Sequence, residues 1–159
     1  MIVYHGSLAV IEKPDVTYSY KLLDFGKGFY VTTEKKQAVR WAKRKRNILK
    51  KGKAVVNVYE MCETLDGFKL KTFPDDLQEW LDFVCACRDG SEEYKRYDVI
   101  SGKVADDDVF RVVDMYRSGV WEKERALREI KTYPSYDQIA FINQVALNKL
   151  QSFVSYEEI

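Results

Sequence analysis

Apolar residues in this chain come in short runs of strand type, and these interleave irregularly with stretches of helical spacing. That pattern constrains the fold more than any single motif. The strand-type runs are "IVYHGS" (2–7), "FYVT" (29–32), "AVVNVYEM" (54–61), "FKLKTF" (68–73), "YDVISG" (97–102), "QIAFIN" (138–143) and the closing "SFVSYE". A helix is expected over 34–49, where Ala38, Trp41 and Ala42 begin an apolar stripe at i, i+3, i+4. Another follows Pro74, with Leu77, Trp80, Leu81 and Val84 on one face. "DDDVFRVVDMYRSG" has acidic residues where a helix begins and Gly119 where it stops, as the helix dipole and the C-cap favour. Further helices are expected over 121–132 and around Ala146, Leu147 and Leu150. The segment from 8 to about Gly28 reads as mostly loop, and Asp66-Gly67 reads as a turn pairing 54–61 with 68–73. Strand and helix do not alternate as in a parallel sheet, so the class is α+β.

With 159 residues, 46% of them hydrophobic, the chain suits one domain over 1–159 that buries its own core. A net charge of +1 gives no push toward nucleic acid, membranes or acidic substrates. No apolar run approaches the roughly 20 residues that span a bilayer. "MIVYHGSLAVIEKPD" lacks the basic and long apolar regions of a secretory signal. Cys62, Cys85 and Cys87 are odd in number and irregularly spaced, which argues for buried thiols in a reducing, cytoplasmic setting rather than disulfides. The single histidine is far from them, so no metal site is expected.

"DFGKGFYVTTEKKQAVRWA" (24–42) tests the chemistry. A phosphate loop needs G-x-x-x-x-G-K-[ST], and a dinucleotide fingerprint needs G-x-G-x-x-G opening a helix. Here Gly26 and Gly28 precede a strand and no third glycine follows, so both are excluded. Tyr30 on that strand and Trp41 on the next helix are either core aromatics or two faces of a slot for a flat, electron-poor ring such as nicotinamide. His5 is either structural or, beside Gly6, where a ligand can approach bare backbone, a partner for a sugar hydroxyl.

These elements meet in one resemblance. "YHGSLAVIEKPD", "DFGKGFYVTT…QAVRWA", "EWLDFV", "YDVISGKVADDDVF" and "YDQIAFINQVAL", in this order, resemble the bacterial domain-of-unknown-function family 3990 of the ADP-ribosyltransferase superfamily. The likeness is to the diphtheria-toxin and poly-ADP-ribose-polymerase branch, whose signature is His, Tyr and a third residue, usually Glu. It implies a split β-sandwich with peripheral helices around an NAD cleft. It also implies NAD as co-substrate without a metal, and transfer of a single ADP-ribose to a protein or nucleic acid with release of nicotinamide. By this likeness His5 holds the adenosine-side ribose, Gly6 clamps the carboxamide through its backbone, and Ser7 adds a hydrogen bond. Tyr30 and Trp41 stack on nicotinamide, and Gln138 stands at the third position. Bacterial relatives further suggest a toxin–antitoxin or phage-defence component under a separate regulatory protein.

Two positions depart from the pattern. Ala38 stands where the polymerases use serine, and Gln138 where they use glutamate. Glutamine can bond a ribose hydroxyl but offers only a dipole to an oxocarbenium-like centre and cannot deprotonate an acceptor. Single transfer is therefore favoured over chain elongation. An NAD glycohydrolase, or a non-catalytic module holding NAD or ADP-ribose, are the alternatives. Asp137, one residue earlier on a strand, should point to the opposite face from Gln138. Ten basic residues between Lys35 and Lys53, with no acid among them, make either a solvated helix face or a phosphate-binding surface. Asp106 to Asp108 read as an acidic helix start, and Trp80, Leu81 and Phe83 as packing; Arg88 could reach a pyrophosphate.

Overall fold

A computed structural model describes residues 1–19 and 23–159; residues 20–22, part of the expected first loop, lie outside the described residues. Three strands, β1 (Ile2–Ser7), β3 (Val55–Met61) and β7 (Gln151–Glu158), form an antiparallel sheet in the order β1-β3-β7. Four others, β2 (Phe29–Val31), β4 (Leu70–Thr72), β5 (Val99–Lys103) and β6 (Asp137–Phe141), form a second sheet in the order β2-β6-β5-β4. The described residues also form five α-helices, α1 (Lys35–Leu49), α2 (Gln78–Arg88), α3 (Asp107–Arg117), α4 (Lys123–Ile130) and α5 (Gln144–Leu150), and two short 3-10 helices, Val16–Tyr18 and Glu93–Arg96. The class is α+β, and neither sheet closes into a barrel.

One expected pairing is wrong. The runs 54–61 and 68–73 do not form a hairpin: β3 lies between β1 and β7, while β4 pairs parallel with β5 in the other sheet. The reason is connection geometry. Both neighbours of β3 are already taken, and a parallel partner for β4 is supplied across α2, the crossover such a pair requires.

The alternation of side chains along β2, β5 and β6 fills two cores. Phe29, Val31, Val99, Ile139 and Phe141 face the first sheet and pack with Val3, Tyr59 and Met61. Tyr30, Ile100 and Ala140, on the opposite face, pack with Trp80, Val109, Val112 and Ile130 of the helices. Gln138 lies two residues before Ala140, so strand periodicity puts it on that helical face too. The sheets touch where Tyr4 and Thr32 exchange backbone hydrogen bonds of 2.8 and 2.9 Å.

Two glycines make this arrangement possible. A Cβ on Gly6 would sit 2.1 Å from the Ala38 carbonyl oxygen and 2.8 Å from the Ala42 nitrogen, so α1 rests its backbone directly on β1. The buried Ala38 and Ala42 permit the same approach from the helix side, which is the packing reason for alanine at 38. Gly26 adopts φ +82° in a turn whose ends, Leu23 and Gly26, bond each other. The "GKG" stretch is thus a turn before a strand, and its Gly26 carbonyl accepts the Tyr30 hydroxyl at 2.7 Å.

Candidate functional site

A cleft of about 320 Å³ opens between β1, α1 and the helical face of the second sheet, and His5, Tyr30, Trp41 and Gln138 all line it. Four residues spread over most of the chain therefore share one cavity. Asp24, Lys45 and Arg88 line it as well.

His5 bridges the sheets: its Nδ1 lies 2.6 Å from the Tyr30 carbonyl oxygen. A carbonyl only accepts, so Nδ1 carries the proton and Nε2 keeps a lone pair, which has no partner among the described residues. The ring stacks on Phe29 at 4.4 Å and meets the edge of Tyr18 at 5.5 Å. Burial, and then the nearby Lys45 charge, push the imidazole pKa down from 6.5 to about 3. At neutral pH His5 is thus a fixed-tautomer acceptor and not a cation.

Tyr30 presents its ring rather than its hydroxyl. The hydroxyl donates to Gly26 O and accepts from the Phe25 N–H at 3.0 Å, and burial raises its pKa well above 10.0. Trp41 is half-buried on α1, and among the described residues no ring contact joins it to Tyr30. Two aromatic surfaces thus border the cleft without closing on each other.

Gln138 is 3% exposed, and its Nε2 donates to Asp24 Oδ2 at 2.8 Å and Lys103 O at 3.1 Å. Asp24 is fully engaged: Oδ1 accepts from Arg88, with Nε at 3.1 Å, and Oδ2 also accepts from the Ala105 N–H at 2.8 Å. The Arg88 guanidinium lies over the Phe110 ring. Lys45 donates to Gly6 O at 2.8 Å, and burial pushes its pKa down from 10.5 to about 8. Two cations against one carboxylate leave the cleft net positive at pH 7, which suits an anionic ligand.

Gly6 and Ser7 do not line the cleft. The Gly6 carbonyl is occupied by Lys45 and its Cα face by α1, while the Ser7 hydroxyl bonds Tyr18 at 2.6 Å. Asp137 turns away from Gln138, as its strand position requires, and binds the Thr32 and Thr33 hydroxyls. Sequence reasoning missed Asp24 and Lys45. Asp24 opens the quoted "DFGKGFY" yet carries no motif of its own, and Lys45 is hidden among like neighbours.

Half of the basic run is engaged within the fold. Lys35 and Lys53 pair with Glu157 and Glu158, Arg40 and Arg44 with Asp106 and Asp107, and Lys45 with Gly6 O. Cys85 and Cys87 are buried, with thiol pKa values pushed up to about 11 and about 12 by desolvation, so they are poor nucleophiles. Cys62 is exposed, contrary to the expectation for all three thiols. Among the described residues no group of three or more His, Cys, Asp or Glu could hold a metal ion, and no helix is long and apolar enough to cross a membrane.

The family model described as "Protein of unknown function (DUF3990)" matches residues 1–152, so the chain belongs to that family. Comparison with curated proteins and with solved structures returns no match.

Proposed function

We propose that this member of the DUF3990 family has the split β-sandwich of ADP-ribosyltransferases and transfers a single ADP-ribose from NAD to a macromolecular acceptor. The observation that carries the reading is the convergence of His5, Tyr30, Trp41 and Gln138 on one cleft. In this reading the nicotinamide ring uses the aromatic surfaces of Tyr30 and Trp41. His5 Nε2, an acceptor without a partner among the described residues, takes a ribose hydroxyl. Lys45 supplies positive charge for the pyrophosphate, and Gln138 holds the nicotinamide ribose through its Oε1.

The glycosidic bond breaks with its electron pair going to nicotinamide, which leaves neutral. An acceptor lone pair then forms the new bond to the anomeric carbon, and its proton passes to solvent. Among the described residues that line the cleft the one carboxylate is Asp24, and both of its oxygens are engaged within the protein. The acceptor must therefore be nucleophilic on arrival, which favours one transfer over elongation. Water as acceptor would make the protein an NAD glycohydrolase.

The test incubates the protein and Trp41→Ala with labelled NAD and a cell lysate, divides the products between protease and nuclease, and measures free nicotinamide. Trp41 is half-buried, so the variant should keep its fold while KM for NAD rises roughly tenfold, the loss of one stacking surface. Label sensitive to one digestion identifies the acceptor class, and nicotinamide without label identifies hydrolysis. An absence of label and of nicotinamide would end the proposal, and NAD binding by calorimetry without either would identify a non-catalytic binding module.

Lys45 adds a pH dependence. Above about pH 8 its ammonium loses the proton, so a positive charge disappears from the cleft and NAD affinity should fall between pH 7 and 9. The expected loss is roughly fivefold, the worth of one partly screened charge contact. Calorimetry on Lys45→Met should show a flat profile over that range; a parallel decline in parent and variant would remove Lys45 from the anion site.

A further inference from the structure

We infer that Asp24 is a positioning residue that acts through Gln138, and that the Asp24–Gln138 pair stands in for a single glutamate. The partners of Gln138 Nε2, the Asp24 carboxylate and the Lys103 carbonyl, can only accept. Both bonds therefore need N–H donors, and turning the carboxamide over would set Oε1 against two oxygens. The orientation is determined by chemistry, with Oε1 on the side away from both.

Neither partner is free to turn away. Asp24 is clamped by Arg88 on one oxygen and by the Ala105 N–H on the other. The Lys103 carbonyl also accepts from Trp80 Nε1 at 2.8 Å, inside the helical core. Gln138 uses both of its amide hydrogens in this cradle, so its remaining hydrogen-bonding capacity is that of Oε1. An amide whose N–H donates to a carboxylate is polarised, and its carbonyl oxygen gains electron density, more so in a buried setting. Asp24 thus lends negative charge to Oε1 at one amide's remove.

The same cradle forbids a glutamate. A carboxylate at 138 would lie within hydrogen-bond distance of the Asp24 carboxylate and of a carbonyl oxygen. Two carboxylates sharing one buried site resist ionising together, so one takes up a proton well above the ordinary carboxylate range and gives it up only on approach to pH 7. Glutamine at 138 is on this argument the residue that Asp24 requires, not a weakened glutamate.

The charged and titratable groups around the position are Asp24, Arg88 of α2, Lys45 of α1, His5 of β1, Tyr30 of β2, Lys103 of β5 and, farther along the cleft, Tyr18. The cavity on the other side of Gln138 adds Asp75, Lys131, Tyr133, Tyr136 and Asp137. In the folded protein His5 stays neutral above about pH 3 and Lys45 titrates near 8, so pH 5 to 7 isolates an introduced carboxyl from both in the kinetic readout. In the melting readout the unfolded-state titration of His5 is common to every variant and cancels in the comparison.

The kinetic readouts rest on the NAD reading, and a second readout is free of it. Gln138→Glu, Asp24→Asn and the double variant are compared with the parent for nicotinamide release and for melting temperature from pH 5 to 7. At pH 7, kcat of Gln138→Glu should fall about a hundredfold, and it should rise as pH drops and the shared proton is taken up. Asp24→Asn should lower kcat at least about tenfold with KM nearly unchanged. In the double variant the asparagine amide at position 24 can donate to the new carboxylate, so kcat should return to within about tenfold of the parent with a flat pH profile.

From pH 5 to 7 the parent gains stability as the unfolded chain releases the His5 proton. The melting temperature of Gln138→Glu should rise less than the parent's over that range, or fall, and Asp24→Asn should suppress the difference. A Gln138→Glu enzyme as active as the parent at pH 7 would overturn the inference. If the parent releases no nicotinamide, the NAD reading fails and the melting curves still decide. A Gln138→Glu profile parallel to the parent's, or one that Asp24→Asn does not change, would then refute the pairing.

Discussion

Acidification from pH 7 to pH 4 should cost the protein roughly 3 kcal/mol of stability through His5 alone. The imidazole is 4% exposed, with its pKa lowered to about 3 by burial and by the neighbouring Lys45. The unfolded chain binds the proton near pH 6.5 and the folded one does not until about pH 3. Between those values the unfolded state holds more protons, so stability falls as pH falls; above about 6.5 the contribution is constant. Urea denaturation at pH 7, 5.5 and 4 measures the slope. His5→Asn keeps an N–H donor for the Tyr30 carbonyl but has nothing to titrate. It should start less stable at pH 7 and then show a flatter profile than the parent. Parallel losses in the two proteins would mean that His5 is not held neutral.

Gly6→Ala should be the most damaging small substitution. The added methyl would meet the Ala38 carbonyl and the Ala42 nitrogen of α1, which are backbone atoms of a helix and cannot rotate aside. Overpacking usually costs about 1–3 kcal/mol, and a backbone obstacle belongs at or beyond the top of that range. For a chain of this size the melting temperature should drop by roughly 10 °C. The helix that must move carries Trp41 and Lys45, so on the proposed NAD reading affinity should fall with stability. Gly52→Ala is the control: an added Cβ there meets nothing closer than 3.8 Å, although φ +79° gives it a modest backbone penalty. A Gly6→Ala protein that melts like the Gly52→Ala control would contradict the seating of α1 on β1.

The two effects share a cause. His5 and Gly6 are consecutive on β1; one ties the first sheet to β2 and the other receives α1. The stability of the inter-sheet junction and the shape of the cleft are therefore properties of the same dipeptide. The Tyr30 hydroxyl adds to the coupling, because its bonds to Phe25 and Gly26 fasten the glycine turn beneath the cleft. Removing the Tyr30 side chain would disturb packing and binding together, which makes Trp41 the cleaner probe of ring stacking.

Local order was legible in the sequence because it is written in periods of two and 3.6 and in short-range signals. β1, β2, α1, α3 and β6 fall within a residue or two of where alternation, apolar stripes, acidic helix starts and Gly119 put them. The irregular mixing of the two periods was sufficient for the α+β class. The "GKG" stretch could be excluded as a phosphate loop from spacing alone, since both phosphate motifs demand glycines that it lacks. His5, Tyr30, Trp41 and Gln138 could be named because a family resemblance marked them, not because any local pattern did.

What tertiary structure decided is everything that depends on which distant groups meet. β4 had a turn and an apolar run beside β3, yet its partner is β5, because sheet order follows the available edges and crossovers rather than proximity along the chain. Gly6 looked open to a ligand, but a bare backbone is as useful to a packing helix, and α1 took the space. Lys45 became a cation of depressed pKa only when folding set it over Gly6 and beside His5, while other members of the same basic run found surface acids. Asp24 and Gln138 are 114 residues apart, so no window of sequence contains both. A hydrogen bond has no reach along the chain, and only the closing of the fold brings that carboxylate to that amide.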